Sequence, residues 1–118
     1  MTKTALDIAL EIIEAENNHD VDALIGLSSA DYKWHLPSGK IITRDELRKK
    51  AEDMFPAYPD RHQTVHDTMQ DGDKAILRWT AIAHAASDGT EHKQSAIEIF
   101  RVVDEKCVEV WSVVAHPE

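Results

Sequence analysis

The sequence has one cysteine and no long apolar run, and both features limit where the protein can work. Cys107 has no second cysteine with which to form an intramolecular disulfide bond. The first five residues contain no apolar stretch of the length that a signal peptide or a membrane-spanning helix requires. We therefore expect a protein of the reducing cytoplasm.

Several sequence motifs of well-defined chemistry are also missing. There is no Gly-rich phosphate loop, no G-x-S-x-G nucleophile turn, no H-E-x-x-H zinc motif and no dinucleotide-binding fingerprint. We find no internal repeat and no linker rich in Pro, Gly and Ser. We therefore expect one domain over residues 1–118, without a cofactor or a metal ion.

The net charge limits the binding partners that can be expected, and the apolar content indicates a folded chain. There are 22 Asp and Glu residues against 13 Lys and Arg residues, a formal net charge of -9 at pH 7. Long-range repulsion weakens any encounter with nucleic acid or an anionic membrane, so neither is expected as a partner. Hydrophobic residues make up 42% of the chain and include three Trp, enough apolar surface to predict a packed globule.

Three helical segments are predicted in the first half of the chain. From Thr4 the apolar residues recur at helical spacing until a polar break at residues 17–20. A short second apolar face follows over residues 21–27. The T-R-D-E capping box at residues 43–46 begins a third helix, which is predicted to end before Pro56.

A sheet is predicted mainly in the second half. An irregular strand covers residues 31–36, and four longer segments follow, separated by turn signals short enough for antiparallel hairpins. The four segments are Arg61–Met69, Lys74–Ala86, Glu91–Val103 and Lys106–His116. Helices followed by such a meander predict an α+β fold, with the helices on one face of a curved sheet that encloses an apolar cavity.

Four stretches are distinctive as a set: FPAYPDRH from Phe55, GDKAILRWT from Gly72, EIFRV from Glu98 and VEVWSVV from Val108. Together they resemble the SnoaL-like polyketide cyclase family of the NTF2-like superfamily, which includes scytalone dehydratase, ketosteroid isomerase and limonene epoxide hydrolase. The resemblance implies a cone of about three helices on a curved antiparallel sheet. It implies no single reaction, because one scaffold hosts isomerases, dehydratases, cyclases, hydrolases and binding domains.

The same resemblance points to His35 as a catalytic residue. The W-H-L-P sequence at residues 34–37 matches a place where SnoaL-like cyclases put a His in the cavity. The carboxylate that these cyclases carry four residues after the Trp of the last strand falls on Ala115. The Asp that ketosteroid isomerases carry before the Pro of the first-strand turn falls on Leu36. Both usual Asp positions are therefore apolar here.

The last strand offers a replacement carboxylate. Alternate residues of a strand share a face, and one face here carries a carboxylate beside apolar side chains. The residues of this face are Glu109, Trp111, Val113 and Ala115. We predict that this face lines the cavity, with Glu109 as the first catalytic candidate and Glu98 as the second. A structural ion pair is the alternative interpretation for either carboxylate.

Aromatic side chains supply the remaining ligand-binding candidates. Trp79 and Trp111 are predicted to form walls against a flat apolar ligand, with core packing as the alternative. Tyr32, Trp34 and Tyr58 have a hydroxyl or an indole N–H that can orient such a ligand.

The histidines of the strands do not predict a metal site. His62 and His66 are about 13 Å apart along a strand, too far for one ion. His84, His92 and His116 join them in a site only if neighbouring strands bring them into register. Solvated histidines are the default interpretation.

Two functions are compatible with these residues. The first is a cofactor-independent enzyme that acts on a small apolar carbonyl compound by isomerisation, dehydration or aldol-type cyclisation, with His35 as the acid and base. The second is a non-catalytic ligand-binding or interaction domain, suggested by the apolar residues at positions 36 and 115. Because both faces of the last strand are largely apolar, a homodimer through the sheet is predicted in either case.

Overall fold

The computed structural model describes residues 2–116. Three helices and six strands are present, and their order confirms the predicted α+β cone of helices on a curved sheet. The elements are α1 (Ala5–Asn17), α2 (Val21–Gly26), β1 (Ser28–His35), β2 (Ile41–Thr43), α3 (Arg44–Ala57), β3 (His62–Asp71), β4 (Lys74–His84), β5 (Glu91–Val103) and β6 (Lys106–Ala115).

Capping boxes begin the two longer helices. The Asp7 N–H donates to Thr4 Oγ1 over 3.1 Å, and the Thr4 N–H donates back to the Asp7 carboxylate over 3.0 Å. Thr43 and Glu46 cap α3 in the same way. The predicted end of α3 before Pro56 is wrong, since the helix continues to Ala57; a proline in the last turn removes only one helical hydrogen bond. None of the described helices is long and apolar enough to cross a membrane.

The six strands form one sheet in the order β2-β1-β6-β5-β4-β3. All neighbouring pairs are antiparallel except β1 and β6, which run parallel. The sequence did not predict β2, because its three residues are too few to show alternation. The first strand also begins three residues earlier than expected, at Ser28.

The two faces of the sheet have different surroundings. The helices cover one face, which we call the inner face, and there Leu77 of β4 packs with Ile8 of α1 in the core. The opposite, outer face carries no helix and exposes large apolar side chains on several strands. Those on β3 to β6 include Met69, Ile76, Ile82, Ile97 and Val113.

The packing of α1 can be tested by truncating one buried and one exposed apolar residue of the same helix. Ile8 is 1% exposed and Leu10 is 39% exposed. We expect Ile8→Ala to lower the free energy of unfolding by about 2–5 kcal/mol, since it removes buried methyl groups and leaves a cavity. We expect Leu10→Ala to cost less than about 1 kcal/mol. Urea unfolding followed by circular dichroism measures both, and equal losses would contradict this placement of α1.

Candidate functional site

The inner face contains a buried carboxylate, Glu98 of β5, which is 7% exposed. The Trp79 Nε1–H donates to Glu98 Oε1 over 2.6 Å, and the Ser112 hydroxyl donates to Glu98 Oε2 over 2.5 Å. The Trp34 Nε1–H donates to Ser112 Oγ over 2.8 Å, so the hydrogen of Ser112 remains free for Glu98. Because an indole N–H can only donate, these bonds suit an ionised carboxylate.

Burial and hydrogen bonding act on Glu98 in opposite directions. Burial raises the pKa of this carboxyl above its usual range, because the charged form loses its hydration. The hydrogen bonds from Ser112 and Trp79 lower the pKa, and so does the positive charge of Arg61. The pKa remains raised, so Glu98 is a stronger base than an exposed glutamate.

A second carboxyl, Glu16 of α1, lines the same inner cavity but has no such donors. It makes no hydrogen bond to another described residue. Burial, and then the negative charge of Glu98, raise the pKa of Glu16 to about 8, while the charge of Arg61 opposes this shift. Glu16 therefore holds a proton at neutral pH. Tyr32 lies beside it, and burial raises the pKa of its phenol, which keeps the hydroxyl protonated.

The inner cavity is small, at about 40 Å³. Its polar groups come from Glu16, Ser28, Tyr32, Trp34 and Glu98. The remaining lining residues are Ile12, Leu24, Leu47, Phe100 and Val110. Such a space holds one or two water molecules, so the helices and the sheet fill most of the interior between them.

A second chamber of about 100 Å³ lies where the end of α3 meets β4 and β5, and we call it the mouth chamber. Arg61 lies in its wall. The Arg61 Nη2–H donates to Gln94 Oε1 over 3.0 Å, and the guanidinium carbon lies 5.5 Å from the centre of the Trp79 ring. Since Trp79 also bonds Glu98, Trp79 connects Arg61 of the mouth chamber to the buried carboxylate.

His35 and Glu109, the two catalytic residues predicted from the sequence, contact each other but lie outside the cavity. His35 Nε2 is 2.8 Å from Glu109 Oε2, and the Arg101 Nε–H donates to Glu109 Oε1 over 3.1 Å. The His35 ring stacks on Trp111, with ring centres 5.3 Å apart. The hydrogen bond to His35, followed by Arg101, lowers the pKa of Glu109.

Strand pairing explains why His35 and Glu109 lie outside the cavity and not inside it as predicted. Trp34 pairs with Val110 and points to the inner face, so its neighbour His35, which pairs with Trp111, points to the outer face. The whole face of β6 that was predicted to line the cavity is therefore the outer one, as the alternation requires. It carries Glu109, Trp111, Val113 and Ala115. The catalytic roles of His35 and Glu109 stay predictions.

The other aromatic candidates lie on the inner side. Tyr32 and Trp34 line the inner cavity, and Trp79 is buried against Glu98. Tyr58 lines the mouth chamber, where it contacts the His92 ring edge-on. Trp79 thus holds the carboxylate through its N–H, a role that the sequence did not predict.

The histidines of the strands do not form one cluster, and His84 and His66 each contact a different partner. His84 Nδ1 lies 2.6 Å from Asp60, which raises the pKa of His84, and His66 Nε2 lies 2.7 Å from Thr80 Oγ1. Within residues 2–116, no group of three or more His, Cys, Asp or Glu residues is arranged to hold a metal ion.

Sequence reasoning missed Glu16 and Arg61. A signal for Glu16 was available, because it continues the apolar stripe of α1 three residues after Ile13 and four after Ile12. A carboxylate on such a stripe becomes at least partly buried when the helix docks, and Glu16 is half-buried. Arg61 precedes β3 directly, and no pattern in the sequence distinguishes it from a surface arginine.

Solved structures of similar proteins share this fold. AclR from Streptomyces galilaeus, a proposed hydroxylase, is 25% identical over 94% of this chain and 74% of its own, with a TM-score of 0.85. IdmH from Streptomyces antibioticus, a proposed polyketide cyclase, is 23% identical over 95% of this chain and 92% of its own, also with a TM-score of 0.85. A proposed SnoaL-like polyketide cyclase from Jannaschia sp. CCS1 is 11% identical over 93% of this chain and 84% of its own, with a TM-score of 0.81.

A comparison with curated proteins gave no match. The sequence profile of the SnoaL-like domain, in contrast, matches residues 9–110. This match runs from α1 into β6 and includes the carboxyls of Glu16 and Glu98. It therefore covers most of the chain, and the protein belongs to the SnoaL-like domain family.

Proposed function

We propose that this protein is a cofactor-independent enzyme that moves a proton on a small, largely apolar carbonyl compound. Isomerisation, dehydration and aldol-type cyclisation all begin with this step. The observation that carries the proposal is a pair of carboxyls on one cavity, of which Glu98 has a hydrogen-bond donor on each oxygen and Glu16 has none among the described residues. Two carboxyls whose surroundings push them toward different protonation states can serve as a base and an acid. A location in the reducing cytoplasm is part of the proposal.

Glu98 is the base in this mechanism. Its carboxylate removes a proton from the carbon next to the carbonyl group, and the electron pair of the C–H bond moves toward the carbonyl oxygen. The protonated Glu16 and the Tyr32 hydroxyl lie on the same cavity and donate hydrogen bonds to the enolate oxygen. Glu98 then returns the proton to another carbon, so the isomerisation needs no oxidant and no cofactor.

Access to Glu98 runs through the mouth chamber. The inner cavity of about 40 Å³ admits only the reacting end of a substrate, and the apolar body stays outside it. Arg61 of the mouth chamber contacts the Trp79 ring, and Trp79 bonds Glu98, so a ligand at Arg61 lies on the Glu98 side of the sheet. His35 and Glu109 in this proposal form a structural hydrogen-bonded pair on the outer face.

The role of Glu98 can be tested by Glu98→Gln, which keeps the shape of the side chain and removes the base. We expect proton exchange to fall at least about 100-fold, the usual contribution of a general base. The measurement is the loss of α-protons in D₂O, followed by NMR, for cyclohexanone, acetophenone and 4-acetylbenzoate, a ketone that also carries a carboxylate.

The matched control is Glu91→Gln on the same strand, where the side chain is about half exposed and contacts His84. It should retain wild-type exchange. If His35→Ala lowers the rate 100-fold and Glu98→Gln does not, the chemistry belongs to the outer face. If the wild-type protein exchanges none of the three ketones, the enzyme proposal fails.

The proton on Glu16 can be tested through stability. A folded-state pKa of about 8, against the ordinary 4.5, means that the folded protein binds this proton more tightly than the unfolded chain. The resulting stabilisation is complete below about pH 4.5 and is lost as the pH rises through 8. Glu16→Gln should therefore lose less stability than wild type between pH 6 and pH 9, as measured by urea unfolding.

Glu14→Gln is the control, because Glu14 is exposed on the same helix. It should keep the pH dependence of the wild type. A wild-type pH dependence in Glu16→Gln would show that Glu16 ionises normally and would remove the acid from the mechanism.

A non-catalytic ligand-binding or interaction domain is the second candidate function. The small interior volume favours it, because little space is left for a whole substrate. The apolar outer face favours it as well, since an exposed patch of this kind marks a contact with another protein.

We propose a homodimer through the outer face for either function. Ile97 is 54% exposed and pairs with Val113, which is 65% exposed, near the middle of this face. Covering such residues with a second copy removes apolar surface from water.

Ile97→Lys should therefore convert a wild-type dimer into a folded monomer, because it would bury a charge in the contact. Light scattering after size-exclusion chromatography measures the mass. The control is Leu10→Lys, whose site on α1 is also exposed, at 39%, but lies away from the outer face. A wild-type protein that is monomeric at about 100 µM would contradict the dimer.

A further inference from the structure

The mouth chamber differs in charge from the rest of the protein. The chain has a formal net charge of -9, yet no Asp or Glu is among the described residues that line this chamber. One arginine and two imidazoles are present instead. The lining residues are Met54, Tyr58, Arg61, Ala81, Ile82, Ala83, His92, Gln94 and His116.

The guanidinium of Arg61 has more N–H donors than it has hydrogen-bond partners among the described residues. It is half-buried, and one of its N–H groups bonds the side-chain oxygen of Gln94. A guanidinium has five N–H donors, and Arg61 forms no ion pair with a carboxylate among the described residues. Other arginines do form such pairs, since Arg48 bonds Asp22 and Arg78 bonds Asp67. Arg61 is therefore available to an external anion.

The surroundings of Arg61 favour a particular kind of anion. Its planar fork matches the two oxygens of a carboxylate, and partial burial strengthens a charged hydrogen bond. The ring of Trp79 lies against the guanidinium and holds it in place. Met54, Ala81 and Ala83 line the same chamber with apolar atoms. A compact carboxylic acid with an apolar body fits both features.

We propose that the mouth chamber is a carboxylate-binding subsite in which Arg61 pairs with an acid group of the ligand. The assignment of a substrate class, which follows, rests on the proposed function. The substrate is then an acidic carbonyl compound, with its carboxylate at Arg61 and its enolisable end toward Glu98.

Binding at Arg61 also affects the two carboxyls of the inner cavity. The charge of Arg61 lowers the pKa of both Glu16 and Glu98. A carboxylate beside Arg61 offsets this charge, so both pKa values rise when the ligand binds. The protein should then take up protons at pH 7.5 to 8, where Glu16 titrates. A substrate that carries the acid group would thus make Glu98 a stronger base.

The test compares benzoate with benzamide, a neutral molecule of nearly the same shape, by isothermal titration calorimetry on the full chain. We expect benzoate to bind at least about tenfold more tightly than benzamide, and Arg61→Gln to remove this preference. Titrations in two buffers of different ionisation enthalpy should show proton uptake with benzoate. Glu16→Gln should reduce that uptake.

Lys93→Gln is the matched control, because it also removes one positive charge. Lys93 directly precedes Gln94 on β5, but its side chain lies on the outer face and pairs with Glu91. It should leave the preference for benzoate unchanged. Equal binding of benzoate and benzamide, or a preference that survives Arg61→Gln, would overturn the subsite. Either result leaves the role of Glu98 standing if Glu98→Gln still abolishes proton exchange. Benzoate binding through Arg61 without any exchange would instead reject the enzyme and retain the subsite.

Discussion

The hydrogen bonds that Trp79 and Ser112 donate to Glu98 tie the sheet together around one buried carboxylate. Removing a carboxylate from water is costly unless donors replace the lost hydration. The donors come from β4 and β6, on either side of β5, and Trp34 of β1 supports Ser112. A slip of one residue in any of these pairings would turn a member of the network to the outer face. The network therefore holds four neighbouring strands in one register.

The same network separates the behaviour of the two carboxyls in the cavity. Glu98 has donors on both oxygens, whereas the Glu16 carboxyl has no hydrogen-bond donor among the described residues and lies near the charge of Glu98. One helix and one strand thus place two chemically identical groups in different hydrogen-bonding surroundings. The charge of Arg61 reaches both carboxyls and, in our proposal, connects ligand binding at the mouth chamber to the strength of the base.

The sequence predicted the elements well and the faces of the sheet poorly. The helical spacing from Thr4, the capping box at Thr43 and the hairpin turns are local signals, so the three helices and most strands could be predicted directly. The residues of β6 alone do not show which of its two faces is the inner one, because both faces are largely apolar. The inner face can be identified on β4, where the apolar Leu77 and Trp79 alternate with Arg78 and Thr80. The strand register then shows which residues of β5 and β6 lie on the same face.

The resemblance to SnoaL-like cyclases had a similar limit. It identified the family and the cone, but it placed His35 in the cavity, and the pairing of β1 with β6 turns that ring outward. The residues of the inner site come from α1, β1, β4, β5 and β6, so no single motif encodes them. Glu16 was detectable only as a carboxylate on an otherwise apolar helical stripe.

The protonation states of the two carboxyls test this account most directly. Carbon-13 NMR of a protein labelled at the glutamate side-chain carboxyls can follow each group through a pH titration, with Glu16→Gln and Glu98→Gln used to assign the two signals. The account predicts that Glu16 titrates near pH 8 and that Glu98 titrates above the ordinary glutamate value of 4.5. Titration of both groups at or below 4.5 would contradict it.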